Sequence, residues 1–145
     1  MKQSIKEIEL NHRASDLYNI VLKIEEYPDY IPWCSKIEII SRKKNIINAN
    51  MIVEYKFFPI QEFMSKVEYN AEEMIIKTTY IKGPLKDLNT KWEFNKIDKE
   101  KSKIKFSVEF EFKNFFHQKV AELFFPLIEV KMMKSFINRA KDTLD

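Results

Sequence analysis

The chain is poor in the residues on which several kinds of functional site depend. Its 145 residues include one glycine, Gly83, and one cysteine, Cys34. A phosphate-binding P-loop and a dinucleotide fingerprint both need several glycines at fixed spacing, so the sequence excludes both. A single cysteine excludes an internal disulfide and a cysteine-based zinc site. The two histidines, His12 and His117, lie far apart in sequence and offer little material for nucleophilic catalysis.

Long apolar runs are also missing. No stretch approaches the roughly 20 apolar residues of a membrane-spanning helix, and the first ten residues lack the apolar core and cleavage site of a signal peptide. Charged residues make up 32% of the chain and the net charge is +3, a globular composition. We therefore expect a cytoplasmic protein, with peripheral association at the inner membrane as an option. The length predicts a single domain over residues 1–145.

Aromatic residues are abundant, at 14% of the chain, with twelve Phe, six Tyr and two Trp. This is more ring area than a small core usually needs. The excess indicates either an internal cavity lined by rings or an apolar contact surface.

The hydrophobic pattern predicts the order strand, helix, six strands, long helix. Residues 2–10 alternate, and the next segment has helical spacing, with an N-cap at Ser15-Asp16 and an end at Tyr27-Pro28. From 36 to 112 the period is two, which is typical of an antiparallel meander with one buried face.

A helical region opens at Asn114 and runs to the C-terminus, where Pro126 predicts a kink or two abutting helices. Its predicted apolar stripe contains Phe116, Val120, Leu123, Leu127, Val130, Ile137, Ala140 and Leu144, widened by Phe124, Ile128, Met132 and Phe136. Together the elements predict an α+β fold, a curved antiparallel sheet wrapped around a long C-terminal helix with an internal apolar cavity between them.

Three segments carry a family resemblance. They are Tyr27-Pro28-x-Tyr30-Ile31-Pro32-Trp33-Cys34, then Gly83-Pro84-Leu85-Lys86-x-Leu88-x-x-x-Trp92-x-Phe94, then Phe110-Glu111-Phe112-Lys113-Asn114. In this order they resemble the coenzyme-Q-binding START-like family, which includes the RatA-type proteins of bacteria. That family belongs to the polyketide-cyclase and lipid-transport superfamily. The resemblance covers nearly the whole chain and implies its helix-grip fold.

The resemblance implies a non-enzymatic protein that binds a polyprenyl quinone, such as ubiquinone, in support of respiratory electron transport. Its partners would be the lipid, a transient membrane surface and respiratory complexes, with no DNA and no cofactor other than the bound lipid. The alternative is a RatA-type toxin that binds the large ribosomal subunit and inhibits translation initiation. A cyclase-type enzyme would need polar groups in the cavity, of which the sequence offers few. Ligand identity, direction of transfer and oligomeric state stay open.

The predicted ligand-binding side chains are mostly aromatic: Tyr30, Trp33, Phe63, Tyr80, Leu85, Trp92, Phe94, Phe110, Phe124, Met132 and Phe136. Gly83, Pro84 and Leu85 are interpreted as a mobile gate with Leu85 at its tip, and the alternative is a plain turn. Trp33 either stacks on a head group or plugs one end of the core. Tyr30, Tyr80 and Thr90 are candidate hydrogen-bond donors to a head group. No catalytic or metal-binding residue is predicted.

Three further features have structural interpretations. Cys34 is interpreted as a small buried hydrophobe, because no electropositive cluster surrounds it. Glu109 and Glu111 are expected to face water, opposite in phase to the neighbouring Phe residues. The basic turns are expected to serve solubility and edge protection, with attraction to an anionic membrane or ribosomal RNA as the functional alternative. They comprise Arg42-Lys43-Lys44 and Lys96, Lys99, Lys101, Lys103 and Lys105.

Overall fold

The predicted order of elements is confirmed. The computed structural model describes residues 2–54 and 60–144, without the side chain of Phe124. Along the chain lie β1 (Lys2–Leu10), α1 (Ala14–Leu22), a 3₁₀ helix (Ile24–Asp29), β2 (Cys34–Lys43), β3 (Ile46–Val53), β4 (Gln61–Asn70), β5 (Ile75–Lys82), β6 (Leu85–Asp98), β7 (Lys101–Phe112) and α2 (Phe115–Leu144).

The strands form one antiparallel sheet in the order β1-β7-β6-β5-β4-β3-β2. Alternation decides which face is buried, since successive side chains of a strand point to opposite faces. On β7, Phe106, Val108 and Phe110 are buried toward the helices. Glu109 and Glu111 lie on the other face, as expected, where Glu109 accepts a hydrogen bond from Gln3.

The predicted boundaries of α1 are wrong at both ends. The helix begins at Ala14, which is already buried, and its N-cap Arg13 makes no side-chain capping hydrogen bond. It ends at Leu22, because Lys23 leaves the helical region with φ −77° and ψ 69°. Residues 24–29 continue as a 3₁₀ helix that contains Pro28. Packing of α1 on the sheet therefore sets its start more strongly than the local capping preference.

The C-terminal region is one helix of 30 residues that continues through Pro126, so the alternative of two abutting helices is wrong. At 1.5 Å per residue it is about 45 Å long. Pro126 lies at an exposed position of this helix.

The predicted stripe of α2 is correct only in part of its C-terminal half, since Val130 and Leu144 there are exposed. Phe136 and Ala140 are buried, but Phe116 is 70% exposed and Leu123 is 75% exposed. The first half instead buries Gln118 and Glu129. Apolar residues lie on two faces of this half, so spacing alone did not identify the face that contacts the sheet.

Candidate functional site

The inner face of the sheet is closed at one end by a cluster of rings. The indole of Trp92 lies 4.5 Å from Phe106, 5.0 Å from Phe136 and 6.1 Å from Phe94, measured between ring centroids. We call these four residues the aromatic wall. A cavity of about 10 Å³ lies beside Trp92, Phe136 and α1, which is too small for more than one water. The predicted internal cavity is therefore filled by side chains at this end, which we call the closed end.

The opposite end of the inner face is more open. β3 ends and β4 begins there, β5 passes to β6 there, and β7 passes to α2 there. Four inward side chains at this end, Phe63, Tyr80, Leu88 and Phe112, are half-buried, whereas Leu85 and Phe110 beside them are buried, as the aromatic wall is. We call this region the mouth and define it by Phe63, Tyr80, Leu88 and Phe112.

The glycine of the predicted gate is required by its surroundings. Gly83 has a φ of +149°, and a Cβ at this position would lie 2.6 Å from the backbone oxygen of Glu62 and 2.9 Å from the hydroxyl oxygen of Tyr80. The Tyr80 hydroxyl accepts a hydrogen bond of 3.0 Å from the amide of Leu85. Leu85 is buried, so the predicted tip of the gate is packed against the protein in this state. Movement of this segment stays a prediction.

The predicted ligand-binding residues separate into distinct groups. Trp92, Phe94 and Phe136 belong to the aromatic wall, and Tyr30 packs on Phe136 with 5.5 Å between ring centroids. Phe63 and Tyr80 belong to the mouth, and the buried Leu85 and Phe110 lie next to it. The half-buried Trp33 and Met132 pack against the core. The side chain of Phe124 lies outside the described part of the chain. The mouth group is a candidate site, and the wall group is a packed core.

Two predicted polar residues have distinct environments. The Tyr30 hydroxyl is buried with no hydrogen-bond partner among the described residues, and burial raises the pKa of Tyr30 despite the Arg139 guanidinium 4.9 Å from its ring centroid. Burial also raises the pKa of the Cys34 thiol to about 11. The thiol is thus protonated at neutral pH, in agreement with its interpretation as a buried hydrophobe.

Sequence reasoning missed one buried carboxylate. Glu129 of α2 is 3% exposed. The Ser4 hydroxyl donates a hydrogen bond of 3.2 Å to its Oε1, and the Lys6 Nζ lies 3.9 Å from the same oxygen. Its Oε2 is buried and has no hydrogen-bond partner within residues 2–54 and 60–144. The signal available in the sequence was its spacing of four from Phe125, whose ring packs 4.9 Å from Phe110.

Exposed apolar side chains surround the mouth. We call Ile60, Ile81, Phe115 and Phe116 the apolar rim, and each of them is at least half exposed. Lysines lie among them in sequence at positions 82, 86, 113 and 119, and the Lys119 Nζ lies 5.3 Å from the ring centroid of Phe115. Grouped exposed apolar residues are typical of a contact surface.

The basic turns lie at the closed end, away from the apolar rim. β2 turns into β3 there, and so does β6 into β7. Acidic residues neutralise part of this charge, since Arg42 lies 2.9 Å from Glu25 and Lys103 lies 3.1 Å from Glu7. These ion pairs favour the interpretation of the basic turns as a solvated surface.

An open groove of about 630 Å³ crosses the outer face of the sheet, over strands β1, β7, β6 and β5. Its outward side chains are mainly polar and include Gln3, Lys77, Asn89, Lys91 and Glu109. The sheet itself separates this groove from the mouth and from the aromatic wall, so it forms no part of the predicted lipid site.

Two features are absent from the described residues. No helix in the described part of the chain is long and apolar enough to cross a membrane. Among the same residues, no group of three or more His, Cys, Asp or Glu side chains is arranged to hold a metal ion.

A curved antiparallel sheet that encloses one long C-terminal helix, closed by rings at one end and open at the other, defines a START-like helix-grip protein. The chain belongs to the polyketide cyclase / dehydrase and lipid transport family, whose model matches residues 10–137. This result confirms the resemblance found in the sequence.

Individual similar proteins fall into different functional groups. The ribosome association toxin RatA of Rickettsia prowazekii is 25% identical over 138 residues, which cover 93% of each chain. The mitochondrial coenzyme Q-binding protein COQ10 homolog B of Xenopus laevis is 26% identical over 140 residues, which cover 90% of this chain and 54% of that protein. The Zhui aromatase/cyclase from Streptomyces sp. R1128 has a TM-score of 0.90 at 12% identity, covering 99% of this chain and 96% of the other, and this shows the common fold.

Proposed function

We propose that the protein binds a polyprenyl quinone or a similar lipid through its mouth and carries it as a chaperone in support of respiratory electron transport, without catalysing a reaction on it. The observation that carries the proposal is the position of the half-buried mouth directly beside the apolar rim. The similarity to a coenzyme Q-binding protein supports the choice of ligand.

Apolar burial would supply most of the affinity. Each CH₂ group of an isoprenoid tail contributes about 0.8 kcal/mol when it leaves water. The side chains of Phe63, Leu88 and Phe112 at the mouth are only half-buried, so a tail that covers them gains contact area on both sides. A site of this kind needs few polar groups to bind tightly.

The rim would place the mouth against a bilayer. Phe115 and Phe116 are exposed at the start of α2, and Lys113 and Lys119 flank them. Exposed rings insert at the level of the lipid head groups, and each nearby lysine adds about 1 kcal/mol of attraction to an anionic surface. Loading would then take place without exposing the tail to water.

Native mass spectrometry of the protein purified with its host's membranes tests this function. Lipid extraction from the same sample identifies the ligand. We expect close to one polyprenyl quinone per chain. A protein that carries no lipid in the preparation and takes none up from quinone-loaded vesicles would contradict the proposal.

A second candidate function is inhibition of translation at the large ribosomal subunit. One observation favours it: the alignment with the ribosome association toxin covers 93% of this chain and 93% of the toxin. The surface that would contact RNA is the basic turns, which lie at the end opposite to the mouth. Charge reversal at Lys43 and Lys44 should then relieve growth arrest on overexpression, whereas changes in the apolar rim should not. Lack of co-sedimentation with large subunits would reject this candidate.

A further inference from the structure

Glu129 occupies an unusual position for a carboxylate. It lies on the buried side of α2, four residues after Phe125 and seven before Phe136, two rings that pack against the sheet. Ser4 and Lys6 both approach Oε1. The other oxygen, Oε2, is buried without a hydrogen-bond partner among the described residues. A buried acceptor without a donor costs free energy, so its persistence calls for an explanation.

The carboxylate lies above a polar row of the sheet. Ser4 pairs with Val108, Val108 with Thr90, and Thr90 with Thr78, so their side chains share the inner face in one line across four strands. Adjacent strands are about 4.8 Å apart, which places Thr90 roughly 10 Å from Ser4. The Ser4 hydroxyl thus contacts Glu129 directly, and the Thr90 and Thr78 side chains continue the row away from it.

This polar row lies between the mouth and the aromatic wall. On the mouth side, Leu88 pairs with Phe110. On the other side, Trp92 pairs with Phe106, both of which belong to the wall. The cavity beside the wall measures about 10 Å³ and has no room for a chain. A ligand that enters from the mouth would displace the contact between Phe110 and Phe125, whose ring centroids lie 4.9 Å apart. It would then reach the polar row, beyond which the aromatic wall blocks the interior.

We propose that Oε2 of Glu129 accepts a hydrogen bond from a hydroxyl group of the bound ligand, which makes the site selective for a hydroquinone over the corresponding quinone. The inference rests on the proposed function and adds the chemical form of the ligand. The ring lies at the polar row, and the tail leaves through the mouth.

The selectivity follows from hydrogen-bond chemistry. A carboxylate only accepts hydrogen bonds, and so do the two carbonyl oxygens of a quinone. A quinone therefore brings a carbonyl oxygen against a buried acceptor atom, where repulsion is screened less than in water, and the Lys6 ammonium near Oε1 offsets part of this repulsion. A hydroquinone presents O–H donors, and its bond to a carboxylate is a strong, charge-assisted one. The Thr90 hydroxyl can form a hydrogen bond with the oxygen at the far end of the ring in either redox form, because a hydroxyl both donates and accepts.

The test compares the two redox forms of one probe. A decyl-tailed benzoquinone and its two-electron-reduced hydroquinone are titrated separately by calorimetry, the reduced form without oxygen. We expect wild type to bind the hydroquinone at least about tenfold more tightly, the effect of one charge-assisted hydrogen bond. Glu129→Gln should bring the ratio close to one, because an amide offers both a donor and an acceptor.

Glu109→Gln is the matched control. It removes the same charge from the outer face, where Glu109 bonds to Gln3, and should keep the ratio of wild type. The ratio of hydroquinone to quinone affinity is measured on wild type without any variant. This part of the test therefore remains possible if Glu129→Gln folds poorly. Equal affinity of wild type for both forms, or an unchanged ratio in a folded Glu129→Gln protein, would overturn the inference alone. Failure of wild type to bind either form would overturn the proposed function with it.

Discussion

The hydroxyl of Tyr80 accepts a hydrogen bond from the backbone amide of Leu85 across the connection between β5 and β6. Gly83 lies inside this closed turn, and its missing side chain leaves the space that the Tyr80 hydroxyl and the backbone of Glu62 occupy. The turn at the mouth is thus held by a polar contact on one side and by the burial of Leu85 on the other.

Gly83→Ala should destabilise the protein. The added Cβ would meet the Glu62 oxygen at 2.6 Å, and the φ of +149° is one that L side chains rarely adopt. Strain of this type costs about 1–3 kcal/mol. Urea denaturation measures the change in the free energy of unfolding. Ala71→Gly is a control that changes one methyl group in an exposed turn, and a Gly83→Ala protein as stable as that control would show that the turn relaxes freely.

The aromatic wall and the mouth should respond differently to truncation. Phe136 is buried against Trp92 and Tyr30, so Phe136→Ala should lower the free energy of unfolding by about 3–5 kcal/mol. Phe63 is half-buried, and Phe63→Ala should cost only about 1 kcal/mol while it reduces lipid loading. Denaturation and lipid extraction on the same two proteins make the comparison. Equal stability losses would show that the mouth is packed core as well.

Because the Cys34 thiol is buried, we expect the free energy of unfolding to fall as the pH rises from 9 toward 11. Its thiol has an ordinary pKa of 9.0, and burial raises the pKa to about 11 in the folded protein. Between these values the unfolded chain loses its proton and the folded one keeps it, so stability is full below pH 9 and declines as the pH rises toward 11. Tyr18, Tyr27 and Tyr30, whose pKa values burial also raises, begin to lower stability in the same way as the pH approaches their ordinary value of 10.0. The difference between wild type and Cys34→Ala therefore isolates the contribution of Cys34.

Denaturant titrations at several pH values should show this decline in wild type and a smaller one in Cys34→Ala. The thiol should also react slowly with a disulfide reagent at pH 8, since its thiolate fraction is about a hundredfold below that of the unfolded chain. Reaction at the same rate in buffer and in urea would contradict the burial of Cys34.

The sequence was informative where one pattern allowed one structure. The alternation of Phe106, Val108 and Phe110 with polar residues is compatible only with a strand that buries one face. Along the first half of α2 the same reasoning failed, because Phe116 and Leu123 on one side and Phe125 on the other are all apolar. Which side contacts the sheet depends on the packing of the whole sheet. Glu129 was missed for the same reason, since its burial follows from the phase of that helix.

The separation of the mouth from the basic turns leads to the last prediction. If the apolar rim contacts membranes, the double variant Phe115→Ser/Phe116→Ser should bind anionic vesicles at least about tenfold more weakly, because two rings lose apolar contact with the lipid. Both side chains are exposed, so the fold should be unaffected. Ile40→Ser/Ile97→Ser removes two exposed apolar side chains outside the rim and is the matched control. Vesicle co-sedimentation measures the binding.

Since the lysines beside the rim are predicted to add attraction to an anionic surface, binding of wild type to the vesicles should also weaken as the salt concentration rises. Equal loss in both double variants would mean that general surface hydrophobicity, rather than the rim, brings the protein to the bilayer.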